Sequence, residues 1–295
     1  DVYKRQLLVS VGARLGEITS SGYAHVDIPN PQMTFVHVYP SGDEIGHMYR
    51  PDLAIASATP AFARAIAEME VDAASGWKRW TEEAAEEYRA STVPRATPGA
   101  LQLEHVVTHV GEELGERDIV TNGAGNYAAW VNRYYPYRGY RTQLAPTSGS
   151  MGYGLPAAIS AALFHPDREV VCFAGDGCFL MTGQELSTAV RYELGIVVIV
   201  ANNGMYGTIR MHQERNYPGR VHGTDLANPD FAKLAESYGA LGLRAESNAE
   251  FDAAFERARK SARSGRPALI EVIVDREALT PAATLSEVRA KALGG

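Results

Sequence analysis

Apolar and polar positions fall along this chain in a repeating order. A short, wholly apolar run is followed by a glycine-containing polar cluster, and then by apolar residues at helical spacing. The clearest case is Glu169 to Gly207. Val170 to Ala174 reads as a buried strand that stops at Gly175-Asp176-Gly177. Leu186, Ala189, Val190 and Leu194 then recur as one face of a helix, and Ile196 to Val200 reads as a second buried strand, stopping at Asn202-Asn203-Gly204. A strand, a helix and a strand in that order close naturally into a parallel sheet. Both polar clusters then sit past the carboxyl ends of their strands, on the edge where parallel α/β sheets bind ligands.

The same rhythm extends in both directions. Upstream, Leu7–Val11, Thr34–Val38 and Leu53–Ser57 read as strands. Asp43–Tyr49 reads as a short helix capped by Ser41, and Thr59 as the cap of a helix from Pro60 with Phe62, Ile66 and Met69 on one face. After an Ala/Glu-rich stretch, Pro94, Pro98 and Gly99 mark a linker. Leu101–Leu114 is an amphipathic helix and Ile119–Thr121 a short strand. Met151–Leu163 is a helix apolar nearly all round, which predicts burial. Helices over Phe231–Tyr238 and Phe251–Ala262, a strand over Pro267–Val274 and a helix or tail from Thr280 complete the pattern. The fold class predicted is α/β: a parallel-sheet domain over residues 100–280 with a tail to 295, preceded by a partial α/β domain over residues 1–90.

Composition narrows the function. The 295 residues are 45% hydrophobic and 21% charged, with a formal net charge of −7 and no basic run, so nucleic acid is not an expected partner. No stretch is apolar for long enough to cross a membrane, and no signal peptide is evident. The only cysteines are Cys172 and Cys178, the first inside a predicted buried strand, so the expectation is free thiols in a reducing cytoplasm. The chain does not begin with Met, and Asp1–Gln6 fit poorly with the strand that begins at Leu7. We therefore expect a chain lacking its amino-terminal part.

The polar clusters carry the candidate chemistry. Asp176 offers an anionic oxygen and Asn203, 27 positions later, a neutral one. Two such donors at neighbouring strand ends suit Mg²⁺ shared with a phosphate. Gly175 and Gly177 let a phosphate approach the backbone, and the N–H groups of Gly177 and Cys178 open the helix after the strand. Elsewhere, Gly123-x-Gly125-x-x-Ala128 after a strand matches the dinucleotide fingerprint, but no Asp or Glu lies between Asp118 and Asp167 to hold a ribose. Gly12, Arg14 and Gly16 read either as a dinucleotide loop or as a tight turn. Tyr134–Tyr140 reads as a packing patch or as a substrate wall.

Gly175-Asp176-Gly177 followed by Asn202-Asn203 at this distance resembles the diphosphate and Mg²⁺ signature of thiamine diphosphate (ThDP) enzymes. Thr147–Ala158 (TSGSMGYGLPAA) and Gly175–Leu186 (GDGCFLMTGQEL) resemble the acetolactate synthase-like family in particular. Residues 7–90, with VGARLG and RPDLAI, are similar to the second half of that family's middle domain, which binds FAD in some members. The resemblance implies a metal set of Asp176, Asn203 and the Met205 carbonyl. It implies that the loop Gly125-Asn126-Tyr127 contacts the diphosphate, with Tyr127 standing where His is usual. Met151 would bend the cofactor between its two rings, and the Gly149 carbonyl would accept from its amino group. Tyr206, Gly207, Thr208 and Ile209 would complete the cofactor site. His212, at a position where acetolactate synthases usually carry Trp, is a candidate general acid or base or a polar rim residue. Asn216–Gly223 would be a loop able to close over the site.

The resemblance also implies a carboligase acting on a 2-keto acid, a transferase or lyase working as a homodimer or homotetramer. A ThDP decarboxylase on the same scaffold, and a non-catalytic ThDP- or FAD-binding subunit, remain as alternatives. The family's activating Glu belongs to a pyrimidine-binding domain that the chain is expected to lack, so no Glu is assigned and the chain is expected to be inactive alone.

Overall fold

The computed structural model describes residues 6–70 and 78–294. The chain divides into two compact units, residues 1–79 and 80–295.

The first unit is a three-stranded parallel sheet in the order β1-β2-β3, formed by β1 (Leu7–Val11), β2 (Thr34–Tyr39) and β3 (Leu53–Ala56). Its small core gathers Val26, Met33, Phe35 and Tyr49. The three strands lie where the hydrophobic runs place them; two finer expectations do not hold. Residues 43–49 form turns instead of a helix, because Gly46 sits at φ 81° and interrupts any helical progression. Thr59 is the first residue of α1 (Thr59–Ala67), while Ala58 is the cap and has no side-chain bond. Gly12, at φ 73°, makes a turn whose N–H reaches the Val38 carbonyl at 2.9 Å.

The second unit carries α2 (Lys78–Ser91) from Trp80 onward, then α3 (Leu103–Glu113), β4 (Ile119–Asn122), α4 (Tyr127–Tyr134), β5 (Gln143–Leu144) and α5 (Gly154–Phe164). After these come β6 (Val170–Gly175), α6 (Asp176–Phe179), a 3₁₀ turn at Gly183–Glu185, α7 (Leu186–Arg191), β7 (Ile196–Asn202) and α8 (Gly207–Asn216). The chain ends with α9 (Phe231–Tyr238), β8 (Leu241–Ala245), α10 (Asn248–Arg263), β9 (Ala268–Ile273) and α11 (Leu285–Ala292). The six strands are all parallel, in the order β5-β4-β6-β7-β9-β8. β6 and β7 are central, which is why they read as unbroken apolar runs: both faces are covered. One face packs residues of α3, α4 and α10, and the other packs α5, α7 and α9. Burying an average Leu or Ile in such a layer contributes about 1.5–3 kcal/mol.

The winding reverses between β4 and β6. From β4 the chain passes through α4 to β5 on one side, and from β6 through α7 to β7 on the other. The loops after β4 and β6 therefore diverge and leave a crevice at the carboxyl edge.

Four local readings change. Met151 lies in a turn, not in a helix, because α5 begins only at Gly154, after Gly152 at φ 78°. That helix is not covered all round either: Leu163 and Phe164 are 52% and 79% exposed. In the tyrosine cluster Tyr134 and Tyr135 are buried, but Tyr140 is 87% exposed. β8 has no counterpart among the expected strands, since its LGLRA sequence shows no apolar run. Its Gly242 is needed because a Cβ there would lie 2.0 Å from the Ala232 carbonyl oxygen. No helix among the described residues is long and apolar enough to cross a membrane.

Candidate functional site

A cavity of about 250 Å³ opens at the carboxyl edge of the second sheet. Its lining includes Gly125, Asn126, Tyr127, Gly149, Met151, Gly175, Asp176, Gly177, Cys178, Asn203, Met205, Tyr206, Gly207, Thr208 and Ile209. The loops after β4, β6 and β7 supply the polar side, as expected for strand ends in register, with Gly175 opposite Ala201. His212 does not line the cavity. It lies on the exposed side of α8, and its neighbour Met211 faces inward against Met205 and Leu279.

Asp176 is buried at 4% exposure, and its carboxylate joins three loops. Oδ1 accepts the Gly177 N–H at 2.8 Å. Oδ2 accepts the Gly204 N–H and the Asn228 side-chain amide, each at 2.8 Å. Burial raises its pKa above the ordinary carboxylate value, and the surrounding donors only partly offset this. The tips of β6 and β7 therefore meet at one carboxylate. Asn203 Oδ1 accepts the Met205 N–H at 3.2 Å, which shapes the turn after β7. From outside, Arg276 donates to the Asn203 carbonyl at 3.1 Å and the Gly204 carbonyl at 2.7 Å. Residues 224–226 run beside this turn: Tyr206 N–H reaches the Thr224 carbonyl, and Leu226 N–H the Gly204 carbonyl, both at 2.9 Å.

The β4 side is held by side chains. Thr208 Oγ1 donates to Asn126 Oδ1 at 2.8 Å, leaving the Asn126 amide facing Met211 Sδ at 3.8 Å. Tyr127 is buried and its hydroxyl donates to Cys178 Sγ at 3.4 Å; burial raises the Tyr127 pKa well above its ordinary value. The same sulfur accepts the Gly152 N–H at 3.1 Å. This seam has no spare room. A Cβ at Gly123 would lie 2.4 Å from Cys178 Sγ, and one at Gly154 would lie 3.0 Å from the Gly123 nitrogen. Neither cysteine is in a disulfide, and burial pushes the Cys172 thiol up to about 12.

Several contributors carry no sequence motif. Leu103, Trp130, Val274, Ala278 and Leu279 form the apolar side of the cavity. Val274, Ala278 and Leu279 lie past the carboxyl end of β9, so the strand-end rule that pointed to Asp176 also applies to them. Asn228 is the main omission. The cap of the helix that follows, α9, is Asp230, whereas Asn228 turns inward to Asp176 and Asn202.

The donor types suit a hard cation with an anionic ligand: one carboxylate, one amide oxygen and backbone carbonyls, at a glycine-lined turn. The buried carboxylate without a basic side chain among its hydrogen-bond partners fits such an ion. Residues 123–272 match the family model described as thiamine pyrophosphate enzyme, C-terminal TPP binding domain. The chain is 31% identical to an acetolactate synthase of Mycobacterium leprae (strain TN) over 93% of its length and 45% of that protein's. It is 38% identical to the mitochondrial acetolactate synthase catalytic subunit of Aspergillus candidus over 55% of the chain and 23% of that protein. With the large subunit of Corynebacterium glutamicum it shares 30% identity over 93% of the chain and 45% of the relative. The chain thus spans a little under half the length of the Mycobacterium and Corynebacterium relatives, each matched over 93% of the chain. The matched model, the parallel sheet and the cavity at its carboxyl edge agree: the chain belongs to the thiamine diphosphate enzymes and is an acetolactate synthase-like member.

Proposed function

We propose that the second unit binds the diphosphate half of ThDP through a divalent cation, Mg²⁺, and serves a 2-keto acid carboligase of the acetolactate synthase type. The observation that carries this is the meeting of the β6 and β7 tips at Asp176, inside the cavity that Asn203, Met205 and Gly177 also line. Asp176, Asn203 and the Met205 carbonyl would hold the ion. Gly125, Asn126, Tyr127, Gly175, Gly177, Cys178 and Gly207 would surround the diphosphate. Gly149, Met151, Tyr206, Thr208 and Ile209 would flank the rest of the cofactor.

When bound, ThDP would supply a carbon nucleophile for the keto-acid carbonyl and a cationic ring as the electron sink for loss of CO₂. The chain's own contribution is position and dryness. Leu103, Trp130, Val274 and Leu279 exclude water from one wall, and the Asp176 network fixes the ion's end of the site. Among the described residues that line the cavity Asp176 is the sole carboxylate, and it would hold the ion, so the lining offers no second carboxylate to activate the pyrimidine ring. We therefore assign that role to a carboxylate outside this cavity and expect no turnover from the 295 residues alone.

Calorimetric titration of the chain with ThDP, with and without Mg²⁺, tests the reading. Binding that requires Mg²⁺ and is lost in Asp176→Ala is expected. Equal ThDP affinity in Asp176→Ala and the unaltered chain would overturn it.

A further inference from the structure

On the face of the second unit that packs α3 and α10, two imidazoles converge on one carboxylate. His105 and His109 are one turn apart on α3, so both point from the same side of the helix. Their rings stack at 5.9 Å with 15° between planes. Asp252, from α10, brings Oδ1 to 2.7 Å from His105 Nε2 and 3.5 Å from His109 Nδ1. The three ligand atoms all lie within 4.8 Å of one another. The side chains are 34%, 23% and 39% exposed, so the cluster is open to solvent on one side and walled on the other. Phe251 and Phe255 meet the His109 ring edge-on at 5.9 and 5.8 Å and fix its plane.

We propose that His105, His109 and Asp252 form a metal site for a borderline divalent cation of the Zn²⁺ type, bridging α3 and α10. Bonds of about 2.0–2.1 Å in a tetrahedral arrangement separate ligand atoms by roughly 3.3 Å. The two carboxylate–imidazole separations, 2.7 and 3.5 Å, bracket that value and the two imidazole nitrogens lie within 4.8 Å, so an ion enters with ligand shifts of roughly half an ångström to an ångström. Two nitrogens and one carboxylate oxygen select Zn²⁺ over Mg²⁺ or Ca²⁺, which prefer all-oxygen shells. Water on the open side completes the fourth position. A hydrogen-bonded His–Asp pair needs one imidazole; here the same carboxylate oxygen faces two.

The site would pin helices that already touch one turn earlier, where the Gln102 N–H reaches Asn248 Oδ1 at 2.9 Å. Leu103, on the same turn of α3, lines the cavity described above. A cation here therefore stiffens the apolar wall of that cavity without entering it. The proposal does not depend on what the cavity binds.

The test is a Zn²⁺ titration of the metal-stripped 295-residue chain, with Asp176→Asn and Asp252→Asn variants alongside. One Zn²⁺ per chain is expected, unchanged in Asp176→Asn and weakened by about tenfold or more in Asp252→Asn and His109→Gln. Co²⁺ added to the unaltered chain is expected to give the intense visible band of a tetrahedral site, a readout that needs no variant to fold. Absence of Zn²⁺ binding by the unaltered chain, equal binding in His109→Gln, or loss of binding in Asp176→Asn alone would overturn it.

Discussion

The Asn228 amide reaches Asp176 Oδ2 at 2.8 Å across 52 residues of sequence, and the same nitrogen reaches Asn202 Oδ1 at 2.8 Å. One neutral side chain thus links the tips of β6 and β7. Replacing it by Ala leaves a buried carboxylate oxygen one donor short, at a cost of about 1–3 kcal/mol. Asn228→Asp adds a second carboxylate against the first and is expected to cost more. Urea unfolding of both variants checks the order. If Asn228→Asp is as stable as Asn228→Ala, the contact does not form.

Asp176 itself gives a pH signature. Its pKa is raised from 3.8 by burial. Between the ordinary value and the raised one, the folded chain holds a proton that the unfolded chain has released. Without a cation, stability therefore falls as pH rises through that interval, and the full cost of the buried charge remains above it. A cation at the carboxylate offsets that cost. We expect Mg²⁺ with ThDP to raise the thermal midpoint at pH 7 and to do so much less at pH 4. An increment that does not change with pH would place the ion elsewhere.

Gly177 lies in α6, where Ala would ordinarily gain about 1 kcal/mol over Gly. Here a Cβ would stand 2.5 Å from Tyr206 Cε1 and 2.9 Å from Tyr206 Cδ1. Gly177→Ala is therefore expected to lose about 1–3 kcal/mol and to weaken ThDP binding by displacing Tyr206. A stabilised variant with normal binding would show that the ring swings aside without consequence.

Glu214 ties α8 to α11. Its carboxylate is fully buried and accepts from Arg289 at 2.7 and 2.8 Å, from Arg210 and from the Gly219 N–H at 2.9 Å. The Arg289 hydrogen bonds, with Gly219 and Arg210, lower its pKa from 4.5 to about 2. That contribution is fully present above pH 4.5 and is lost as pH falls toward 2. Its size at neutral pH is on the order of 3 kcal/mol. Glu214→Gln should destabilise by roughly that amount at pH 7, and its deficit against the unaltered chain should shrink steadily as the pH is lowered through the interval. A deficit that does not change with pH would assign the effect to packing alone.

The central strands and the site's loops are legible in the sequence because each has a local cause. β6 and β7 are apolar throughout because both faces are buried, and Gly175-Asp176-Gly177 and Asn203 come after strand ends by necessity of the winding. The features that are not legible depend on distance or on one residue's backbone. Asn228 acts across 52 positions, and His105 and Asp252 meet across 147. The expected helix at 43–49 fails at Gly46 alone. β8 is held by pairing with β9 that its own LGLRA sequence does not announce.

The seam between the β4 and β6 tips has a chemical consequence. Cys178 Sγ is wedged against the Gly123 backbone, the Tyr127 hydroxyl and the Gly152 N–H. An oxygen or an alkyl group added on the Gly123 side of that sulfur would meet the backbone there and press the two loops apart. Thiol oxidation or alkylation at this one position would therefore act as a wedge, prising open the crevice that the winding of the sheet creates.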